Sequence, residues 1–167
     1  MGEPLPIVRA LRARRRALGL SVRAAAARAG LSACVPASWE RGDRCPSLER
    51  ACGYAGVLGL ELALLPGASG VPVPLAACAQ DDRRLPVLRQ LRATRLVREL
   101  PVAQVAAAVG VTRPAVTMWE NGERRIQLDQ AHGYADALGL LLTVEEISAS
   151  VTVLVEAGGT PSAARRR

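Results

Sequence analysis

The sequence has no lysine, so all 22 of its basic residues are arginine. A planar guanidinium suits phosphate and guanine edges better than an ammonium does, but the abundance of Ala, Gly, Val and Pro makes a GC-rich coding bias the simpler cause. Aromatic residues are nearly missing as well: two Trp, two Tyr and no Phe. There is a single histidine, His132, and the four cysteines, Cys34, Cys45, Cys52 and Cys78, contain no C-x-x-C pair. The spacing of a structural zinc site is therefore absent, no metal or other cofactor is expected, and in a reducing compartment the cysteines are read as free thiols. No run of about 18 uncharged apolar residues is available to span a membrane, and residues 1–9 lack a basic stretch followed by an apolar one. The chain is accordingly read as cytoplasmic. Enzyme chemistry has little to rest on: there is no Gly-rich phosphate loop, no His beside a positioned Ser or Cys, and no paired carboxylates, since Glu145 and Glu146 are adjacent and would point apart on a strand.

What is present is a chain of 167 residues, half of them hydrophobic, long enough to bury a core as one domain or two small ones. A net charge of +7 favours a polyanionic partner, nucleic acid or an anionic membrane surface, without choosing between them.

Self-similarity organises the chain. The four aromatics form two pairs separated by 80 residues, Trp39 with Trp119 and Tyr54 with Tyr134. The same shift superposes Leu11 on Leu91, Arg12 on Arg92, Arg15 on Arg95, Gly30 on Gly110, Glu40 on Glu120, Gly42 on Gly122, and the Leu-Gly-Leu at 58–60 on that at 138–140. About 22 of some 54 aligned positions are identical without a gap. Two copies of one unit are present, over residues 1–65 and 87–145. The Pro- and Gly-rich stretch 66–86 reads as a linker, 146–156 with its β-branched Val-Thr-Val-Leu-Val as a strand candidate, and 157–167 as a flexible basic tail.

In the second unit, Leu88, Leu91 and Arg95 recur at helical spacing, and Val102, Val105, Ala106 and Val109 do so again, stopping at Gly110. Thr112 is a good helix cap and Pro114 is tolerated just inside a helix start, so a third helix is expected over 113–120, with the turn Asn121-Gly122 after it. A fourth follows through Leu128, Ala131, Ala135 and Leu138. Each unit then ends in an apolar extended run, 60–65 and 140–144, able to form a strand. The fold class is thus mainly α, two tandem bundles of four to five helices with short strands after each unit and near the C-terminus.

The motifs Gly19-Leu20-Ser21, Gly30-Leu31-Ser32, Trp39-Glu40-Arg41-Gly42 and Pro46-Ser47-Leu48, repeated as Leu100, Gly110-Val111-Thr112, Trp119-Glu120-Asn121-Gly122 and Leu128, resemble the signature of lambda-repressor-like (XRE-type) helix-turn-helix domains. The resemblance covers about two thirds of the chain. It implies a bacterial-type, sequence-specific regulator of transcription, repressor or activator, nucleoid-associated when bound to double-stranded DNA, whose third helix enters the major groove.

On that helix Arg113, Pro114, Thr117 and Met118 are the expected base-contacting residues, with Arg113 foremost because a bidentate arginine to guanine is the commonest specific contact. Arg89, Arg92, Thr112, Asn121 and Arg124 are expected on phosphates, as are Arg9, Arg12, Arg41 and Arg44 in the first unit. The resemblance further implies that Glu120 pairs with Arg95, and Glu40 with Arg15, as structural ion pairs; Trp39 and Trp119 are core residues.

The first unit departs from this pattern. Opposite 113–118 it has Ala33, Cys34, Val35, Pro36, Ala37 and Ser38, with few donors for base edges, and Pro36, as the fourth residue of its third helix, should shorten or bend that helix. The unit is expected to touch only DNA backbone or to serve as a protein interface, as in an antitoxin-like protein of the same fold. A partner protein gripped through the first unit or the strand-like runs, and a homodimer, both remain open. Cys34 is expected to be a buried or inert thiol. With one reader per chain a palindromic operator needs two chains; two readers in one chain would allow a monomer on an asymmetric site.

Overall fold

The computed structural model describes residues 3–67 and 85–147. Most of the linker, Cys78, the strand candidate beyond Ile147 and the basic tail lie outside the described residues.

Each unit has four helices and a strand. In the first these are α1 Pro6–Ala17, α2 Val22–Arg28, α3 Cys34–Glu40, α4 Leu48–Val57 and β1 Leu60–Pro66; in the second, α5 Pro86–Val97, α6 Val102–Val109, α7 Arg113–Glu120, α8 Leu128–Ala137 and β2 Leu140–Glu146. Local chemistry accounts for most ends. Pro6 and Pro86 open α1 and α5, where a missing N–H costs nothing. Ser21 and Ser47 cap α2 and α4, accepting from the backbone N–H of Ala24 at 3.1 Å and of Arg50 at 3.4 Å. Gly110 closes α6 in the left-handed region at φ 74°, which turns the chain into α7. Thr112 occupies the cap position of α7, but its hydroxyl makes no capping bond.

α3 starts one residue later relative to the repeat than α7 does, so Pro36 is its third residue and the helix is seven residues long against eight. Without the Pro36 N–H the first turn is held by the bond from Val35 N–H to the Ser32 carbonyl, 3.0 Å, and Ala33 stays outside the helix.

The described ends of the segment read as a linker, 66–86, adjoin the flanking elements. Pro66 belongs to β1, the Gly67 N–H bonds the Gly139 carbonyl at 3.1 Å, and Pro86 already begins α5. The reason lies in the pairing of β1 with β2 as an antiparallel ribbon, which joins the units into one body. The ribbon runs from Leu60 opposite Glu146, through Ala63 opposite Thr143, to Pro66 opposite Leu140. Its inner face buries Leu60, Leu62, Leu64, Leu140 and Leu142. The helices of each unit cross over to it, α1 packing on β2 and α5 on β1. A single hydrophobic cluster therefore runs through both units, from Ile7, Leu11, Trp39 and Tyr54 to Leu91, Val116, Trp119 and Tyr134. Sharing matters because a unit of roughly 60 residues alone buries only about 60% of its chain surface and is marginal.

Candidate nucleic-acid interface

The third helices are fixed from beneath by an ion pair. Arg95 of α5 donates from Nε and Nη2 to the two oxygens of Glu120 at 2.6 and 2.7 Å, and Arg15 of α1 does the same to Glu40 at 2.7 and 2.7 Å. Each buried arginine also donates from Nη1 to the carbonyl that follows its helix, Leu100 at 3.0 Å and Leu20 at 2.7 Å. Burial alone would raise the Glu120 carboxyl, but hydrogen bonds from Arg95 and Tyr134 and the charges of Arg95 and Arg92 outweigh it and hold the group below its ordinary value. Trp119 is 1% exposed and Trp39 5%, both core residues; Trp39 meets Tyr54 edge-on at 5.9 Å.

With Ala115, Val116, Trp119 and Glu120 buried, α7 turns Arg113, Pro114, Thr117 and Met118 to solvent, the last 41% exposed. Among the described residues the Arg113 side chain has no partner, and the Thr117 hydroxyl reaches back to the Arg113 carbonyl at 3.3 Å. Arg124, exposed in the loop after α7, also has no side-chain partner there, whereas Asn121 donates to Glu123 at 3.1 Å.

The remaining arginines fall into different environments. Arg12 and Arg92 stand half-exposed at the rims of Glu40 and Glu120, with Nε 3.7 and 3.8 Å from a carboxylate oxygen. Each glutamate thus serves a buried arginine and a rim arginine, leaving one net positive charge at each junction of first and third helix. Arg9 pairs with Glu3, and Arg41 with Asp43 at 2.7 Å. Arg44 is exposed, and Arg89 is partly buried on α5.

In the first unit the solvent face of α3 is poorer still than its sequence suggests. Ser38, opposite the exposed Met118, is buried and donates its hydroxyl to the Val35 carbonyl at 2.7 Å. Cys34, in contrast, is exposed, with Sγ 3.1 Å from the Ser32 hydroxyl: the late start of α3 leaves it on the first turn, ahead of the packed part of the helix. Beside this face lies an open groove of about 680 Å³ lined by Cys34, Val35, the loop carrying Arg41 and Arg44, and Arg50, and closed by Arg125 and Gln127 of the second unit. Arg50 and Arg125 have no role in the sequence reading. The adjacent pair Arg124-Arg125 was a signal, but only the fold shows Arg125 crossing to Glu49 of the first unit at 3.0 Å. Among the described residues no cluster of His, Cys, Asp and Glu is arranged to hold a metal ion, and no helix is long and apolar enough to cross a membrane.

A helix-turn-helix family model matches the chain twice, over residues 11–65 and 91–144. No curated protein and no solved structure gives a significant match.

Proposed function

The chain belongs to the XRE, lambda-repressor-like family of helix-turn-helix DNA-binding regulators, and from the chemistry of its two third helices we propose that it is a sequence-specific double-stranded-DNA-binding transcriptional regulator in which α7 alone reads bases. The observation that carries this reading is the contrast between α7 and α3. Both helices are held from beneath by the same kind of Arg-Glu pair. Of the two, only α7 offers on its outer face a threonine and an arginine without a partner among the described residues. Arg113 on guanine, with Thr117 and Met118 against neighbouring bases and Pro114 in van der Waals contact, would supply readout. Thr112, whose hydroxyl is left uncommitted by the cap, together with Asn121, Arg124, Arg89 and Arg92, would fix register on phosphates, and Arg9, Arg12, Arg41 and Arg44 would do so for the first unit.

Selection of bound fragments from genomic DNA with the purified chain tests this directly. A motif with information concentrated at one half-site is expected; enrichment of no sequence would overturn it. A second reading, an antitoxin-like role with a partner protein seated on the first turn of α3, draws on exposed Cys34 and half-buried Val35 beside the groove. It predicts that substitutions on α3 leave DNA selection untouched and abolish capture of that partner.

A further inference from the structure

We infer that the chain is its own dimer: one molecule occupies one bipartite, polar DNA site, the second unit reading sequence on one side and the first clamping backbone on a single defined flank. The inference rests on the DNA-binding reading above and adds the geometry of the site.

Contacts between the units obey a two-fold relation. In a self-complementary interface each contact between residues i and j occurs twice with the roles exchanged. Here the exchange is the 80-residue shift. Leu48 N–H bonds the Ile126 carbonyl and Leu128 N–H bonds the Pro46 carbonyl, both at 2.9 Å. Gly67 N–H bonds the Gly139 carbonyl at 3.1 Å, and Ile147 N–H the Gly59 carbonyl at 3.0 Å. The ribbon maps onto itself about Ala63 and Thr143, as does the isolated bridge between Ser47 and Gln127. One chain has thus closed, with its own second copy, the edge-to-edge interface that two identical chains would otherwise form.

The closure is not interchangeable between copies. The ion pairs from Arg14 to Glu146, 2.8 Å, and from Arg125 to Glu49, 3.0 Å, run between the units. The shift carries them to Thr94 and Pro66 and to Cys45 and Asp129, which cannot form them. Gly67 is similarly one-sided, because a Cβ there would lie 2.5 Å from the Gly139 carbonyl oxygen, although Ile147 fills the equivalent place. Unit one against itself would keep neither ion pair, and unit two against itself would set Ile147 rather than Gly67 against the Gly139 carbonyl, so these features favour unit one against unit two.

The consequence for DNA follows from where the third helices end. α3 and α7 each lead into the loop that meets its counterpart at 46–48 and 126–128, so the relation that exchanges the units also exchanges the two third helices. In helix-turn-helix dimers, third helices exchanged by a two-fold axis read half-sites about one helical turn, 10–10.5 base pairs, apart, and we assign that spacing to the two units. Since α3 exposes no donor beyond the Cys34 thiol, its half of the site carries backbone contacts through arginines such as Arg44 and no base preference.

The test uses the full chain. Sedimentation of the free protein should give one chain per particle, and titration of a selected site one chain per duplex. Shortening the duplex to the read half-site should lower affinity about 10- to 100-fold, the share of a few phosphate contacts. Restoring about 10 base pairs of arbitrary sequence on the α3 side should recover it, whereas the same extension on the other side should not. Arg44→Ala, at an exposed residue with no side-chain partner among the described residues, should weaken binding on the long duplex and leave the short one unchanged. A two-chain particle, a two-chain complex on a palindrome, or equal rescue from both flanks would overturn the inference. If the chain bound no DNA, the functional reading would fall, and sedimentation would still decide the internal dimer.

Discussion

Tyr134 donates its hydroxyl to Glu120 at 2.5 Å, on the same oxygen that accepts from Arg95, while the corresponding Tyr54 hydroxyl is buried without a partner among the described residues. The repeat has kept both tyrosines and both glutamates, yet only the second unit closes the three-residue network. That unit is also the one with donors on its outer helix face.

Removing Glu120 as Glu120→Ala leaves Arg95 buried and unpaired, at a cost on the order of 3–5 kcal/mol. Tyr134→Phe should cost about 1–2 kcal/mol, whereas Tyr54→Phe should be neutral or slightly stabilising because it removes an unsatisfied hydroxyl. Denaturant melts of the three variants check the order. A Glu120→Ala protein of unchanged stability that no longer bound DNA would move Glu120 from the scaffold to the reading face.

Arg113→Ala and Arg124→Ala should differ in kind. The first should weaken specific binding by about 1–3 kcal/mol and relax preference at one base position. The second should weaken specific and nonspecific binding alike and reduce the salt slope by about one unit. Binding isotherms at several salt concentrations on selected and scrambled duplexes separate the two, and identical uniform losses would show the division of reader from clamp to be wrong.

Stability should fall on both sides of neutrality, for different groups. The Glu120 carboxyl is held below its ordinary 4.5, so its contribution is complete above that pH and is lost as pH falls through the lowered value. Burial pushes the Cys52 thiol from 9.0 up to about 11, and burial likewise raises Tyr54 and Tyr134 above 10. These groups bind their protons more tightly when folded, so their contribution is complete below pH 9 and is lost as pH rises from about 9 upward. Melting temperatures across pH 8–11 should decline, and Cys52→Ala should flatten the first part of the decline; an unchanged profile in that variant would exclude Cys52 as a cause.

Glu99 holds the left-handed conformation at φ 54°, where the first unit has Gly19 at φ 65°. A non-glycine residue there costs roughly 1–2 kcal/mol, partly offset by the extra freedom glycine gives the unfolded chain. Glu99→Gly should therefore stabilise the fold by up to about 1 kcal/mol, and a destabilised variant would show that Glu99 makes a compensating contact.

The repeat, the helix order and the start of α7 at Arg113 could be read from sequence because each rests on local chemistry: helical spacing of apolar residues, Pro at helix starts and glycine at turns. The poverty of the α3 face was legible for the same reason. Local chemistry does not say what a strand pairs with. The runs ending each unit were recognisable as extended, but their alternation serves equally for a partner protein, a second chain or each other. Packing of α1 on β2 and α5 on β1 chose the last, since it buries both leucine faces in one core. The same packing brought Arg125 to Glu49, made Ser38 an interior hydroxyl and left Cys34 in solvent. Two adjacent repeats in the sequence became two faces about a pseudo-axis only in three dimensions, because the 80-residue shift specifies likeness of the units and the ribbon register specifies how they meet.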